Sequence, residues 1–561
     1  MARNRKRPDM PGDYRMDREA IAGGEQALTA EQKALLERGM SLFRFFYDRN
    51  RDAHTEMREA RRMRQLRQTE KSRTSPASTA LQSSIDNVIA DQMDNMPEAQ
   101  LVPEREETAR SAEEMTDIVS YVLYQAGWPG KYQRIIEDAV VTGTGVAQVF
   151  WDDALEDGEG MVSVLSWHPE DFYPDPMYED IQDGRACFKA THTTVAWVEA
   201  HYPHARGFVS TDEYARRDDL TICDAPDGDG KTTLIEFWYK QYDAGTRKTS
   251  VHMAQMAGGA LLCSTQTGYG LDGETYDRGV YAHGLYPFTL YRYRDVWRRP
   301  FGTGLVHDYK DTQEAIDRYA RYIDDNARES SVQRHFIRRG SGVNADEVAD
   351  MRRTVIEWDG SDIREVLQTV QTQPLNGQVY QMMQYMADTM KQDCGQNQFT
   401  RGEGGMNVTA GTAINALQQA GSKIARWHTE RFKDAFRETV EQIIWVLSEY
   451  MEPGRKLRIV GGLEGGDGLR ERIIELTAPG GQNGDTPRPA YSVRVQVVRS
   501  TPDQIARDNE FLMQAAKICA EAGTPLPADA VIRLMQGEHT KTSVLRAMQA
   551  AGIGQAAQPT S

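Results

Sequence analysis

Apolar residues recur at three- and four-residue spacing through several long stretches of the chain. From about residue 31 to 75, Leu35, Leu36, Met40, Leu42, Phe43, Phe46 and Tyr47 share one face and predict a helix. Its second half, EMREARRMRQLRQTEKSR, carries Arg58, Arg61, Arg62, Arg64, Arg67, Lys71 and Arg73. Such a run is ordinarily a solvated helix face, and a DNA or partner surface is the second reading. Another helix, on Ile85, Val88, Ile89 and Met93, stops before Pro97. Two more are expected near 106–126 and 130–142. Short strand-like runs then take over: VAQVFWDD, MVSVLSWHPEDFYPDP, ACFKATHTT, TTLIEFWYK, TSVHMAQM and YPFTLYRYRDV, separated by Gly, Asp and Pro. That order describes an α+β lobe, mostly sheet.

Helical spacing returns at Gly304, where Leu305, Tyr309, Thr312, Ile316, Tyr319 and Ile323 mark a helix ending near Arg328. A compact strand, turn, short helix and strand follow. The next helix is expected to pack on Val379, Met382, Met383, Met386 and Met390. The segment GQNQFTRGEGGMNVTAGT is too rich in glycine for regular structure, and it ends at a candidate N-cap, Thr409 or Thr412. The longest helix, on Ile414, Leu417, Ala420, Ile424, Trp427, Phe436, Val440, Ile443, Ile444, Leu447 and Tyr450, follows. Residues 412–450 would span ~58 Å at 1.5 Å per residue. Strand-like LRIVGG, a glycine-rich loop and strand-like AYSVRVQVVRS come next, then helices from about 503 and a frayed tail, GQAAQPTS.

Composition narrows the function. The chain has 561 residues and a formal net charge of −17, which disfavours wrapping nucleic acid, because phosphate affinity comes from Lys and Arg displacing counterions. An acidic surface suits a protein that lets DNA pass without holding it. No apolar run approaches the roughly 20 residues of a membrane span, so no membrane partner is expected. The basic start, MARNRKRPDMPGDYRMD, leads into no apolar core segment, and a cytoplasmic protein without a secretory signal is expected. Five cysteines, Cys187, Cys223, Cys263, Cys394 and Cys519, lie far apart and are expected to be reduced. His168, His192, His201 and His204 lack metal-ligand spacing. Neither metal nor cofactor is expected.

Three stretches invite an enzymatic reading. Ala225, Gly230, Lys231 and Thr232 fit a relaxed phosphate-loop spacing, but TTLIEFWYK after them reads as a strand, whereas a phosphate loop must open a helix. In TGTGVAQ the third glycine of a dinucleotide fingerprint is Gln148, so a helix end and turn is the better reading. Asp171, Asp175 and Asp180 are nuclease candidates with no partner constellation.

The order of parts resembles the portal proteins of tailed bacteriophages. It is carried by LQSSIDNVIADQMDNMPEAQLVPE leading into a strand, VVTGTGVAQVFWDD and SWHPEDFYPDP in the sheet lobe, and the sequence helix, small lobe, helix, glycine loop, TAINALQQAG and long helix, from about 80 to 535. The resemblance implies a portal-like α+β fold. Residues 1–75 would be a basic N-terminal arm and helix, 76–303 a mostly β wing, 304–329 a stem helix, 330–372 a small α/β clip and 373–394 the second stem helix. Residues 395–411 would be the channel loop, 412–450 the long crossing helix, 451–502 wing strands returning and 503–561 a helical crown and tail.

It also implies a ring, commonly of twelve subunits, at a unique capsid vertex of the virion, assembled in the host cytoplasm. Through it the genome is packaged and later ejected. Expected partners are double-stranded DNA, the terminase large subunit, head–tail adaptors, and capsid and scaffolding proteins. The channel loop would present Gln396, Asn397, Gln398, Arg401, Gly402, Glu403 and Asn407 to DNA; with Arg401 and Glu403 together it is no simple basic ring. Arg334, His335, Arg338, Arg339, Arg352 and Arg353 would serve partner docking at the clip. No catalytic residue is implied. The alternatives are a P-loop ATPase using Ala225–Thr232 and a tail or adaptor protein.

Overall fold

The computed structural model describes residues 26–69, 79–103, 109–212, 214, 230–245, 247–271, 275–276, 279–281, 283–331, 334–340, 343–349, 362, 367–370, 375–394, 423–451, 456–460, 471–475, 491–497, 510, 513–514 and 517. The chain divides into two compact units: residues 1–62, 88–305 and 425–561 form the first, and 63–87 and 306–424 the second. Mixed α/β content with several sheets agrees with the expected fold class.

The first unit is built on two antiparallel sheets. Strands β1 (Pro97–Pro103), β2 (Thr144–Asp152), β3 (Met161–Trp167), β4 (Phe172–Pro174), β5 (Ala186–Thr194), β6 (Lys231–Asp243), β7 (Lys248–Ala257), β8 (Ala260–Ser264) and β9 (Phe288–Arg292) follow in chain order. One sheet has the order β4-β5-β6-β7-β8 and the other β3-β2-β9. Helix α1 (Ala30–Thr69) lays its apolar face on the five-stranded sheet. Leu35, Phe43 and Phe46 join Tyr173, Phe188, Phe237, Tyr239 and Met256 in one buried cluster. Phe188 and Phe237 stack at 4.9 Å, with Phe43 and Phe46 edge-on to Phe188. Each such ring contributes about 1.5–3 kcal/mol by leaving water. Further along α1, Asn50 donates to the Pro174 carbonyl at 3.1 Å and His54 Nε2 lies 3.1 Å from the Phe172 carbonyl, fixing the helix against β4.

Helices α2 (Ala80–Asp94), α3 (Ala109–Gln125), α4 (Trp128–Thr142) and α5 (Val195–His201) complete the part before residue 305. Buried Tyr132, Ile135, Ile136, Ala139 and Val140 recur at helical spacing along α4, which packs on β2. The glycines of TGTGVAQ do what a helix end requires. Gly143 caps α4 at φ 102°, in the left-handed region that glycine enters without strain, and β2 starts at the next residue.

Three elements in this unit were not expected from the pattern: β8, α5 and, beyond residue 450, β13 (Glu471–Glu475), which pairs with β12 (Lys456–Val460). β1 pairs with β14 (Tyr491–Val497) from Pro97↔Val497 to Pro103↔Tyr491. The expected crown lies outside the described residues, apart from helical positions 510, 513–514 and 517.

In the second unit, α6 (Leu305–Ser331), β10 (Arg334–Ile337), α7 (Ala345–Ala349), β11 (Leu367–Val370) and α8 (Gly377–Asp393) reproduce the helix, strand, short helix, strand, helix order read from the sequence. Gln313, fully buried on α6, accepts from Leu81 N at 2.9 Å and donates to Asp317 at 2.9 Å. Asn326 accepts from Leu375 N just before α8. Of the long helix expected over 412–450, α9 (Lys423–Tyr450) is described, and 412–422 lie outside the described residues.

Candidate docking surfaces

The phosphate-loop reading is resolved by Lys231. It is the first residue of β6, paired with Thr194, and Thr232 and Thr233 bond to the Asp212 carboxylate at 3.0–3.1 Å through their hydroxyls. A strand presents no array of free N–H groups to a phosphate. Two of the three nuclease candidates, Asp175 and Asp180, bond within the fold. Asp175 accepts from Arg185 Nε at 2.8 Å and from the Met177 and Arg185 amides, and Asp180 caps a short 3₁₀ turn through Gln182 N. Burial raises the pKa of Asp171, opposed by the charges of His192, His168 and Arg61.

Two arginines of the basic run on α1 are also engaged within the fold. Arg61 bridges Asp138 at 3.2 Å and Glu170 at 3.3 Å, and His168 Nδ1 meets the other oxygen of Asp138 at 3.0 Å. That bond to Asp138, against some burial, raises the His168 pKa. In the second unit, Arg64 pairs with Asp86 at 2.5 Å. Two of the seven cations of the run are thus paired within the fold, which sequence cannot distinguish from a solvated face.

Of the expected clip residues, Arg334 and His335 lie in β10, opposite Val370 and Thr369 of β11. Arg338 and Arg339 are exposed at its end, beside a turn at Gly340 with φ 81°. Arg352 and Arg353 lie outside the described residues, and so do Gln396, Asn397, Gln398, Arg401, Gly402, Glu403 and Asn407 of the expected channel loop.

The second unit exposes more aromatic surface than a self-contained domain needs. Tyr322 on α6, Phe336 on β10, and Tyr380, Met382 and Tyr385 on α8 are all exposed, Tyr385 to 66%. Met382 corrects an expectation: its spacing placed it with Val379, Met383, Met386 and Met390, which are half-buried or buried, but Met382 itself is exposed.

Sequence reasoning missed two further features of the first unit. A cavity of about 50 Å3 is walled by Trp151, Trp238, Tyr281 and Tyr450. A charged recess is formed by Glu179, Asp180, Asp434 and Glu438 with Arg292 and Arg431. Burial, reinforced by Asp180, pushes Glu438 up to about 7. Their residues come from distant parts of the chain, so no local motif announces either one. Among the described residues no group of three or more His, Cys, Asp and Glu is placed to hold a metal, and no described helix is long and apolar enough to cross a membrane.

A family model for the phage P22-like portal protein matches residues 40–561, and the chain belongs to that family. Its function is that of a phage portal protein, a structural component at the capsid vertex, in a family whose members form homo-oligomeric rings. No curated protein matches the chain.

Proposed function

We propose that twelve copies close into the portal ring, whose channel admits the genome during packaging and releases it at ejection. The family match over residues 40–561 carries this reading. The acidic chain supports it, since a channel wall that repels phosphate leaves no deep well along the path. Helices α6 and α8 are the proposed stem, and their exposed Tyr322, Tyr380, Met382 and Tyr385 would be covered by neighbouring copies. The β10–β11 pair is the proposed clip, where exposed Arg338 and Arg339 would meet the terminase motor and later the adaptors. Scaffolding and capsid proteins would hold the ring at its vertex, and catalysis would belong to the motor.

Residues 395–411 are the proposed channel loop. Gln396, Asn397, Gln398 and Asn407 offer hydrogen bonds, and Arg401 is offset by Glu403, so each copy would touch phosphate weakly. Deleting residues 400–406 tests this: rings and procapsids should form, while nuclease protection of the packaged genome should fall. Full protection in that variant would reduce the segment to a linker.

A further inference from the structure

The three-stranded sheet carries two chemically opposite exposed patches, one at each end. At the Thr144 end of β2, β9 leaves the sheet at Arg292 and runs into the segment RYRDVWRR. There Trp297 is 79% exposed, and the Arg298 guanidinium lies over its ring at 4.7 Å. Arg298 stands at φ 60°, its amide donating to Glu179 Oε1 at 2.9 Å, and the Arg299 amide closes the turn on the Val296 carbonyl. Among the described residues neither guanidinium has a carboxylate partner, although Arg292 and Arg431 nearby share Asp295. The outcome is a fixed tip with an aromatic ring and two unneutralised cations, on a chain whose net charge is −17.

At the other end of β2, the turn into β3 reads DDALEDGEG from Asp152, with five carboxylates and no basic residue. Helix α3 flanks it: Tyr121 donates to Glu156 Oε1 at 2.8 Å, and Gln125 donates to the same oxygen at 3.2 Å. Tyr124, three residues from Tyr121 and so its neighbour on the surface of α3, is 79% exposed; Leu155 in the turn is exposed too. This end therefore pairs apolar surface with negative charge.

We propose that Trp297, Arg298 and Arg299 of one copy dock against Tyr124, Leu155 and Glu156 of the next copy around the ring. The proposal rests on the ring reading above and names a contact within it. Three observations select a second copy as the occupant. The patches are complementary, cationic-aromatic against anionic-apolar, and Trp, Tyr and Arg are the residues that dominate binding at such contacts. They are separate patches, so each copy can offer one to the copy before it and the other to the copy after it, and such a head-to-tail contact closes into a ring. They also lie eight residues apart along β2, about 26 Å at 3.3 Å per residue, so one chain cannot close the contact on itself.

The test uses the full chain carrying Trp297→Cys together with Tyr124→Cys, each single variant, and end-on electron-microscopic class averages of all of them. Under mild oxidation the double variant should give a ladder of covalent oligomers on denaturing gels, and the single variants should not. A charge exchange reads the same contact. Arg298→Glu with Arg299→Glu should raise the protein concentration needed for ring formation at least tenfold, and adding Glu156→Lys with Glu159→Lys should restore it to within threefold. Rings with no ladder and no effect of the charge variants would overturn this contact and leave the ring intact. Wild-type protein that forms no ring would overturn the ring reading itself.

Discussion

Gly143 and Gly302 face each other so closely that a Cβ on Gly143 would stand 2.3 Å from the Gly302 carbonyl oxygen. The Gly302 amide donates to Thr144 Oγ1 at 2.9 Å, and a Cβ on Gly304 would meet the Val141 carbonyl at 2.5 Å. The end of α4, the start of β2 and the approach to α6 are thus packed backbone on backbone. Gly143→Ala should cost at least about 3 kcal/mol, from the clash and the left-handed φ together. Gly130→Ala, in α4 with nothing within 4 Å, should be neutral or stabilise by up to about 1 kcal/mol. Thermal melting of both variants checks the contrast.

Arg61→Ala should destabilise the protein by about 2 kcal/mol, because it takes the bridging cation away from the mostly buried carboxylates of Asp138 and Glu170. Arg62→Ala, an exposed position one residue on, should cost under about 0.5 kcal/mol. Urea midpoints measure both. Equal effects would return the whole run to the solvated-face reading.

Acid should weaken the fold through two buried histidines. Burial holds the His54 pKa down to about 3, against its bond to the Phe172 carbonyl, with Arg58 adding to the depression. Burial likewise lowers His428 to about 4, against its bond to the Tyr293 carbonyl, with Arg294 adding. Unfolded histidine titrates near 6.5, so below that pH the unfolded chain takes up protons that the folded chain refuses. The contribution of these two histidines is therefore unchanged above about pH 6.5 and turns destabilising as pH drops toward 4. At pH 5 each histidine should account for about 2 kcal/mol. Urea titrations of the wild type and of His54→Phe at pH 7.5 and 5.0 read this, and the variant should lose about 2 kcal/mol less than the wild type between the two pH values.

How much of this was legible beforehand depended on whether the signal was local. The strand beginning at Lys231 was readable from the β-branched and aromatic residues after it, and Gly143 from its place between a helical stripe and an alternating run. β8 was not readable: ALLCS is buried at every position, and a short apolar run without alternation has no period to detect. α5 has seven residues, too few to establish a stripe. The pairing of β1 with β14 joins positions almost four hundred residues apart. The Trp297 tip and the Glu156 turn became a pair only once the register of β2 placed them at opposite ends of one sheet.

Charge reversal at the proposed clip should separate docking from assembly. Arg338→Glu with Arg339→Glu changes exposed side chains beside β10, so rings should form normally while binding of the terminase motor or adaptor weakens about tenfold or more. Surface plasmon resonance on preformed rings measures it. Unchanged binding of both partners would move the docking site elsewhere.

The central claim is that this chain is a ring-forming portal subunit, and end-on electron-microscopic class averages of the purified full-length protein test it most directly. Closed rings with a central channel, twelvefold in the averages, are the predicted result. A monodisperse monomer or an open filament, at concentrations well above those needed for assembly, would contradict it.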